Sequence, residues 1–388
     1  VAARVPVMQS PEPATTSRTP GVIRSEWSLW LGIATTLVFM VFGNAWLADL
    51  SDNLRFSILF GSLFIVMLLL AFAVVRHADC LAIKLGEPYG TLILTVAVIS
   101  IEVIMISAVM VTGENNPTLA RDTIFSVLMI VVNGLLGITL LIGGLKHKEQ
   151  YYNTQGAASY LGVIIPVAGL GMILPRYMTA APGGEAGPLL AVFLVASSAA
   201  LYGAFLWIQT TRHQSYFKQP ELDIAGDPGS GDDHHGFIVR STRFHAVFLI
   251  LCMLPIVLLS KKMAVLVYHG IASLGAPEAL GGFFVATLVL TPEAVAAIKS
   301  AWADRLQRTI NISLGSALAT IGMTIPAVLG ISIVTGRTVE LGLEEPEIYL
   351  LLITLICAVH NLGGARTNVM HGFVHLTLFF AYIVLIFD

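Results

Sequence analysis

Long apolar segments alternate with short polar stretches along almost the whole chain. Most apolar segments approach the ~20 residues that an α-helix needs to cross a bilayer. The alternating pattern of outer-membrane barrel strands is absent from the sequence. The pattern therefore predicts an all-α integral membrane protein with eleven transmembrane helices. These helices are expected near residues 28–48, 54–76, 90–113, 121–145, 156–176, 189–210, 244–268, 278–300, 309–334, 347–361 and 367–387.

Composition agrees with this class of protein. Of the 388 residues, 56% are hydrophobic and 12% are charged, whereas about 25% of the residues of a soluble domain are charged. The mean hydropathy is +0.82. The formal net charge of −3 identifies no partner, because the charges are divided between loops. The expected partners are cations, protons and the lipid bilayer, without nucleic acid, and the oligomeric state stays open.

The polar segments divide the chain into five parts. Residues 1–25, which are rich in Pro, Ser, Thr and Ala, are predicted to be a disordered cytoplasmic tail. Residues 26–50 hold one extra transmembrane helix, and an acidic cytoplasmic loop at 211–243 separates two sets of five helices at 51–210 and 244–388. Because five is odd, equivalent helices of the two sets enter the membrane from opposite faces. This arrangement is an inverted-topology repeat.

Basic residues predict the orientation of the helices. If the loops are assigned alternately to two sides, the side of the N-terminus holds 15 Lys and Arg residues and the other side holds 4. Two further lysines fall inside the seventh segment. Because cytoplasmic loops carry the excess of basic residues, we expect a cytoplasmic N-terminus and a periplasmic C-terminus in the inner membrane.

Two glutamates, Glu102 and Glu293, lie deep in the second helix of each set. A carboxylate at this depth is costly, by about 2.5–3.5 kcal/mol for Asp at a helix centre on insertion scales. Secondary transporters place their sites near the midplane, at the interface of the repeats. Desolvation favours the protonated carboxyl and a neighbouring cation favours the carboxylate, so such a site can bind cations and protons in competition. We therefore predict that both residues bind the transported cation and protons.

Other polar residues near these glutamates are secondary candidates. Asn133 can supply an oxygen to a cation or form a hydrogen bond across helices, and both interpretations stay open. Thr291 and Ser316 are further candidates. Pro292 lacks a backbone N–H and is expected to loosen the backbone hydrogen bonding beside Glu293, which exposes carbonyl groups as cation ligands.

Lysines and histidines in the second half have less specific patterns. Lys261 and Lys262 interrupt the seventh apolar segment. One interpretation is that one of them, with Lys262 as the candidate, pairs with a carboxylate or lines a water-filled cavity. The other interpretation is that both lysines mark the outer end of a short helix at 244–260. His371 and His375 are four residues apart and share a helix face. A third metal ligand is not evident nearby in the sequence, so a packing or interfacial role is expected for them.

Several remaining carboxylates are expected to be solvated. Glu87 and Glu278 precede the two glutamate-bearing helices, and the stretch 223–235 combines acidic residues with histidine. The sequence contains neither a nucleophile–base pair nor a complete metal triad, so no enzymatic activity and no cofactor are expected. The transported cation, Ca²⁺, Na⁺ or K⁺, is the only metal that the pattern predicts, with Glu102 and Glu293 as its ligands.

Several motifs together resemble a known family. The chain is similar to the calcium/cation antiporter superfamily over about residues 54–388, and in particular to bacterial cation/proton exchangers of the ChaA type. The segments that carry the resemblance are Gly143–Asn153 (GGLKHKEQYYN), Gln209–His213 (QTTRH), Gly315–Pro326 (GSALATIGMTIP), Leu85–Thr95 (LGEPYGTLILT) and Leu290–Val295 (LTPEAV).

The resemblance implies an inverted repeat and the exchange of cytoplasmic cations for external protons, with Glu102 and Glu293 as the glutamates of the two family repeats. The chain departs from the family pattern GNxxE, because Ile99 and Leu290 stand where that pattern has Asn. Val98 and Val289 likewise replace its Gly, and Val131 and Ala319 replace further amides. Since Ca²⁺ prefers about 6–8 oxygen ligands, these changes make a Na⁺ or K⁺ site plausible.

The sequence thus predicts a secondary active antiporter that works by alternating access. The alternative from another class is a cation channel with paired pore glutamates, which would dissipate a membrane potential without proton coupling. The inverted repeat and the lack of a short filter motif favour the antiporter.

Overall fold

A computed structural model describes residues 21–85, 89–112, 117–179, 181, 183–220 and 239–388. Within these ranges eleven long helices form one bundle, which confirms the predicted class and helix number. Nine of them are long and apolar enough to cross a membrane; the other two, α3 and α10, occupy the predicted third and tenth positions. The helices are α1 Trp27–Leu47, α2 Asn53–Leu85, α3 Tyr89–Thr112, α4 Leu119–His147, α5 Thr154–Tyr177, α6 Pro188–Arg212, α7 Thr242–Leu274, α8 Ala279–Trp302, α9 Leu306–Thr335, α10 Glu345–Asn361 and α11 Val369–Phe387.

Two helices are longer than the sequence predicts. The apolar pattern of α2 fades at residue 76, yet the helix continues to Leu85. The proposed short helix at 244–260 is wrong, because α7 runs without a break to Leu274 and ends at Gly275 in a left-handed conformation. A helix can continue through polar residues, so the hydropathy pattern indicates the length of the apolar stretch and not the end of the helix. The acidic residues of the predicted 223–235 stretch lie outside the described residues.

Hydrogen bonds between connecting segments sort the helix ends onto two faces. On one face the strand Gln150–Tyr151, after α4, pairs with the antiparallel strand Arg366–Thr367, before α11. On the other face, Leu341 and Gly342 before α10 donate to the carbonyl of Gly184 before α6. Successive helices therefore cross the bundle in alternate directions. We call the face on which α1 begins the N-terminal face and the face on which α11 ends the C-terminal face.

The second set of helices repeats the first. Helices α2 to α5 begin at residues 53, 89, 119 and 154, and α7 to α10 begin at residues 242, 279, 306 and 345, which is a nearly constant separation. The packing repeats as well. Helix α4 packs against α8 and α11, and its equivalent α9 packs against α3 and α6, while the equivalent helices α2 and α7 pack against each other. These paired contacts are those of an inverted repeat with an approximate two-fold axis.

Two apolar cores divide the bundle. One is formed mainly by α4, α5, α6, α9, α10 and α11, and the other mainly by α1, α2 and α7. Helices α3 and α8 contribute to both, with Ile99 and Leu290 in the first core and Val98 and Val289 in the second. The two helices that carry Glu102 and Glu293 therefore lie between two separately packed bodies.

Helix α1 has no equivalent in the second set. It packs on α2 and α7, and its Gly32 approaches Leu70 of α2 so closely that an added Cβ would lie 2.7 Å from a Leu70 methyl group. At its other end, Arg55 of α2 donates to the carbonyl oxygens of Ala45 and Trp46. These bonds satisfy carbonyls at the end of α1 that have no partner within the helix.

Candidate functional site

Glu102 is enclosed near the middle of α3, with 1% of its surface exposed. Both carboxyl oxygens accept hydrogen bonds from α9, since Thr320 Oγ1 lies 2.8 Å from Oε2 and Thr324 Oγ1 lies 3.4 Å from Oε1. The partners come from the opposite repeat, so this carboxyl group bridges the two halves of the protein.

Glu293 occupies the equivalent position in α8, with 6% of its surface exposed. Its Oε2 accepts a hydrogen bond of 2.8 Å from Ser316 Oγ of α9. The two glutamates interact electrostatically. Pro292 lies inside α8 directly before Glu293, and because proline has no N–H, the carbonyl of Leu288 one turn earlier loses its intrahelical donor.

The three hydroxyl partners form a row along α9. Ser316, Thr320 and Thr324 are spaced four residues apart, so they lie on one face of the helix. The chain between Thr320 and Thr324 is a π-helical turn, a local widening that is often found at functional sites. A similar turn occurs in the equivalent helix at Met129–Leu135. Thr320 and Thr324 were not predicted from the sequence as contacts of Glu102.

Apolar side chains surround the glutamates where the resembling family has amides. Ile99, Leu290, Val131 and Ala319 are all buried in the first core. They offer no oxygen to an ion, so the side-chain oxygens shown near the two carboxylates are those of the hydroxyl row. The hydroxyl row of α9 thus contacts one carboxyl group from each repeat.

Asn133 belongs to a separate buried cluster. Its Nδ2 donates to Thr354 Oγ1 of α10 at 2.8 Å, and its Oδ1 lies 3.2 Å from Nδ1 of His375 on α11. Asn133 therefore bonds across helices, and these bonds do not involve Glu102 or Glu293. His375 is fully buried, while His371 is half-buried. Within the described ranges no group of three or more potential metal ligands is present.

The other secondary candidates are not bonded to the glutamates. Thr291 Oγ1 donates to the carbonyl of Thr287 in its own helix at 2.6 Å. Lys262 donates to Asn44 Oδ1 of α1, so it joins α1 to α7. Of the predicted secondary residues, Ser316 alone shares a described hydrogen bond with Glu102 or Glu293. Glu87 lies outside the described residues.

A cavity of about 240 Å³ lies at the C-terminal face, where α4, α8 and α10 begin. Its lining includes Glu278, which was predicted as a solvated carboxylate, together with Glu347 and the ion pair of Arg121 and Asp122. Glu102 and Glu293 are not among the lining residues that the structure describes. The glutamate site is thus enclosed, and the cavity is a charged recess between it and this face.

The GGLKHKEQYYN motif lies away from the glutamates, at the N-terminal face. Buried Gln150 donates to the carbonyl of Ala301 and to Asp304 Oδ1, both at 2.9 Å, at the end of α8. Burial raises the pKa of the Tyr152 hydroxyl, which stays protonated and donates to the carbonyl of Gly364. Asn153 caps α5 by accepting from the N–H of Gln155. This motif joins α4, α8 and α11 rather than forming the ion site.

Comparison with known proteins identifies the family. Residues 55–211 and 244–387 match the family described as sodium/calcium exchanger protein. The chain belongs to this family. The two matched ranges coincide with α2–α6 and α7–α11, so α1 lies outside them. Over 318 residues the chain is 42% identical to the sodium-potassium/proton antiporter ChaA of Escherichia coli (strain K12). The aligned region covers 82% of this chain and 85% of that protein.

Solved structures show the same fold. The structure of native YfkE superposes with a TM-score of 0.70 at 17% identity, over 92% of this chain and 99% of that chain. The H⁺/Ca²⁺ exchanger CAX gives a TM-score of 0.67 at 13% identity, over 93% of this chain and 88% of that chain. As a member of an exchanger family with this fold, the chain is a membrane antiporter, and the predicted channel alternative is not favoured.

Proposed function

We propose that this antiporter moves cytoplasmic Na⁺ or K⁺ outwards in exchange for external protons across the inner membrane. The observation that carries the proposal is the pairing of two buried glutamates with hydroxyl groups in place of amides. Ca²⁺ is held best by 6–8 oxygens and several formal charges. A monovalent cation needs less charge, so one carboxylate with hydroxyl and carbonyl oxygens suffices. The E. coli relative named as a sodium-potassium/proton antiporter supports this choice.

The mechanism follows from the cost of charge in the apolar interior. Two ionised carboxylates close together in a water-poor site repel each other, so each must hold a proton or face a cation. One cation and one proton, or two protons, keep the site neutral. Exchange then amounts to replacing one cation by one proton while Glu102 and Glu293 alternate between the two faces. Neutrality predicts one proton for each Na⁺ or K⁺ and two protons for each Ca²⁺.

The test is proton flux in proteoliposomes containing the purified protein. Na⁺ or K⁺ gradients are expected to drive opposite proton movement, and a Ca²⁺ gradient to drive less. If none of the three ions moves protons, the antiporter proposal fails. A cation current that dissipates a membrane potential without proton movement would favour a channel. A larger flux with Ca²⁺ would contradict the assignment of the monovalent ions but not proton coupling.

Removing a hydroxyl from the row on α9 should weaken cation binding. Thr320→Val keeps the branched shape but removes the 2.8 Å hydrogen bond to Glu102. A hydrogen bond to a charged group contributes about 1.5–3 kcal/mol, so the half-saturating cation concentration should rise about tenfold or more. Thr335→Val, at an exposed position of the same helix, is the matched control and should leave transport unchanged. An unchanged half-saturating concentration in Thr320→Val would exclude this hydroxyl from the site.

Competition between cations and protons gives a pH dependence of known sign. Raising the pH on the cation-loading side lowers proton occupancy of the carboxyl groups, so the half-saturating cation concentration should fall. With one proton displaced per monovalent cation, the limit is about tenfold per pH unit. The maximal rate at saturating cation, measured at each pH, separates this competition from other effects of pH. A half-saturating concentration that does not depend on pH would contradict a shared site.

A further inference from the structure

A second set of buried ionisable residues lies at the N-terminal face, apart from the two site glutamates. Glu26 precedes α1, His77 lies near the end of α2, and His245 lies in the first turn of α7. All three are buried, with 3%, 1% and 3% of their surfaces exposed. Three ionisable groups from three segments therefore meet without water, at the point where equivalent helices of the two repeats lie side by side.

Hydrogen bonds connect these residues in one chain. The backbone N–H of Arg240 donates to His245 Nε2 at 2.9 Å. The Nδ1 atoms of His245 and His77 face each other at 3.0 Å, and His77 Nε2 lies 3.1 Å from Glu26 Oε2. Arg76 forms an ion pair with the same carboxylate, and its Nη2 also lies 3.3 Å from His77 Nε2. Because a guanidinium N–H only donates, this contact is not a hydrogen bond when His77 Nε2 donates to Glu26.

One backbone donor fixes the protonation of the whole chain. Because His245 Nε2 accepts from Arg240, the proton of the His245 imidazole must be on Nδ1. His77 Nδ1 is then the acceptor, so the proton of His77 is on Nε2 and is donated to Glu26. The opposite direction would leave His245 accepting at both nitrogens, which no neutral imidazole can do. Both histidines are therefore neutral in the intact chain, and Glu26 Oε2 accepts the bond from His77.

This chain cannot take up another proton and stay intact. A proton on His77 Nδ1 would place two N–H groups against each other across 3.0 Å. A proton on His245 Nε2 would instead oppose the N–H of Arg240. Protonation of either imidazole must therefore break one bond of the chain.

The aromatic and charged residues around the two histidines make these bonds more sensitive to protonation. Phe248 packs beside His77, with ring centroids 5.8 Å apart, and stacks on Phe244 at 4.3 Å. The ionisable groups that face the two imidazoles from the described parts of the packed segments are Glu26, Arg76, Lys84 and Arg240. Burial opposes an imidazolium here most strongly, and the three cations oppose it further, whereas Glu26 favours it.

We propose that Glu26, His77 and His245 form a second proton-binding site, which binds one proton and thereby releases the start of α7 from the end of α2. In the neutral state the three residues tie these segments into one body, the second apolar core. Acidification of the N-terminal face loosens that body and slows exchange. The effect on transport rests on the proposed antiport, whereas the release of the bonds does not.

The first test measures the bonds directly and needs no transport. Amide hydrogen exchange of the full-length protein in detergent micelles is compared at pH 8 and pH 6, after correction for the intrinsic rate at each pH. The amides of Arg240 and of the first turn of α7 should exchange about fourfold faster at pH 6 in the wild type, because the opened state binds one proton at an imidazole with a pKa of about 6.5. Equal corrected rates at both pH values would overturn the proposal.

Variants separate the two imidazoles from other titrating groups. The double variant H77Q/H245Q keeps polar side chains but cannot titrate, so corrected exchange at these amides should not depend on pH. His213→Gln replaces an exposed histidine and should keep the wild-type response. A double variant with the full wild-type response would overturn the assignment. If the double variant does not fold, the wild-type comparison alone decides.

Transport gives the second readout. The maximal rate of isotopic Na⁺–Na⁺ exchange at saturating Na⁺ is insensitive to protons that compete at the glutamates. This rate should fall about fivefold in the wild type between pH 8 and pH 6 on the N-terminal face, but not in H77Q/H245Q. Identical pH profiles would overturn the regulatory role. A protein that moves no cation would contradict the proposed function, while hydrogen exchange would still test the proton site.

Discussion

Replacing Glu102 or Glu293 with glutamine is expected to reduce cation-driven proton flux to the level of protein-free liposomes. Glutamine has nearly the same shape and can still accept the hydroxyl bonds from α9, but it can neither release a proton nor balance a cation. Loss of a charged partner in a buried site costs about 3 kcal/mol or more, which is a hundredfold or greater loss of binding. Proton flux driven by Na⁺ and K⁺ gradients provides the measurement.

Loss of flux must be separated from loss of folding. Removing a carboxylate from an apolar interior relieves its desolvation cost, so both glutamine variants should melt in detergent at the wild-type temperature or above it. Glu345→Gln changes an exposed carboxylate at the start of α10 and should transport normally. Full exchange by either site variant would remove that glutamate from the mechanism.

Replacing Gly282 with valine is expected to destabilise the whole bundle. At this position α8 approaches the backbone of α4, and an added Cβ would lie 2.7 Å from both the carbonyl carbon of Asp122 and the amide nitrogen of Thr123. Backbone atoms cannot rotate away as a side chain can, so α4 and α8 must separate. Overpacking of this kind costs about 3 kcal/mol, which should lower the melting temperature by about 4 °C.

The matched control is Gly162→Val on α5, where an added Cβ has nothing within 4 Å. Both substitutions place a β-branched residue in a helix, so the difference between them isolates the close approach of α4 and α8. Thermal unfolding in detergent, with size-exclusion profiles before heating, supplies the comparison. Similar melting temperatures for the two variants would show that α4 and α8 can move apart at little cost.

The positions of the helices could be read from the sequence because crossing a bilayer fixes the length of an apolar segment. The full lengths of α2 and α7 could not be read from the sequence in this way, because their last turns are more polar. The burial of Glu102 and Glu293 was also predictable, because they lie in the middle of apolar segments, whereas their role as ion ligands stays a prediction. Both predictions have the same basis, because the cost of burying charge in a bilayer depends on depth, and the position of a residue within an apolar segment indicates its depth.

Contacts between distant segments were not predictable in the same way. Thr320 and Thr324 reach Glu102 from the other repeat, and their hydroxyl groups have no unusual sequence context. Glu26, His77 and His245 come from three separate segments and form no motif. Lys262 interrupts an apolar pattern, but its partner Asn44 is found only once α1 is packed against α7. The sequence records which residues are polar, whereas packing decides which of them meet.

Helix α1 has a consequence for the resting state of the transporter. If the two repeats were identical, the two-fold axis would relate the inward-facing conformation to the outward-facing one, and the two would have equal free energy. The helix lies on α2 and α7 and has no counterpart to restore the balance. Its contacts therefore differ between the two conformations, and a difference of about 1.4 kcal/mol would populate one of them tenfold over the other. A helix outside both repeats thus removes the equivalence of the two conformations, and we expect the empty site to open unequally to the two faces.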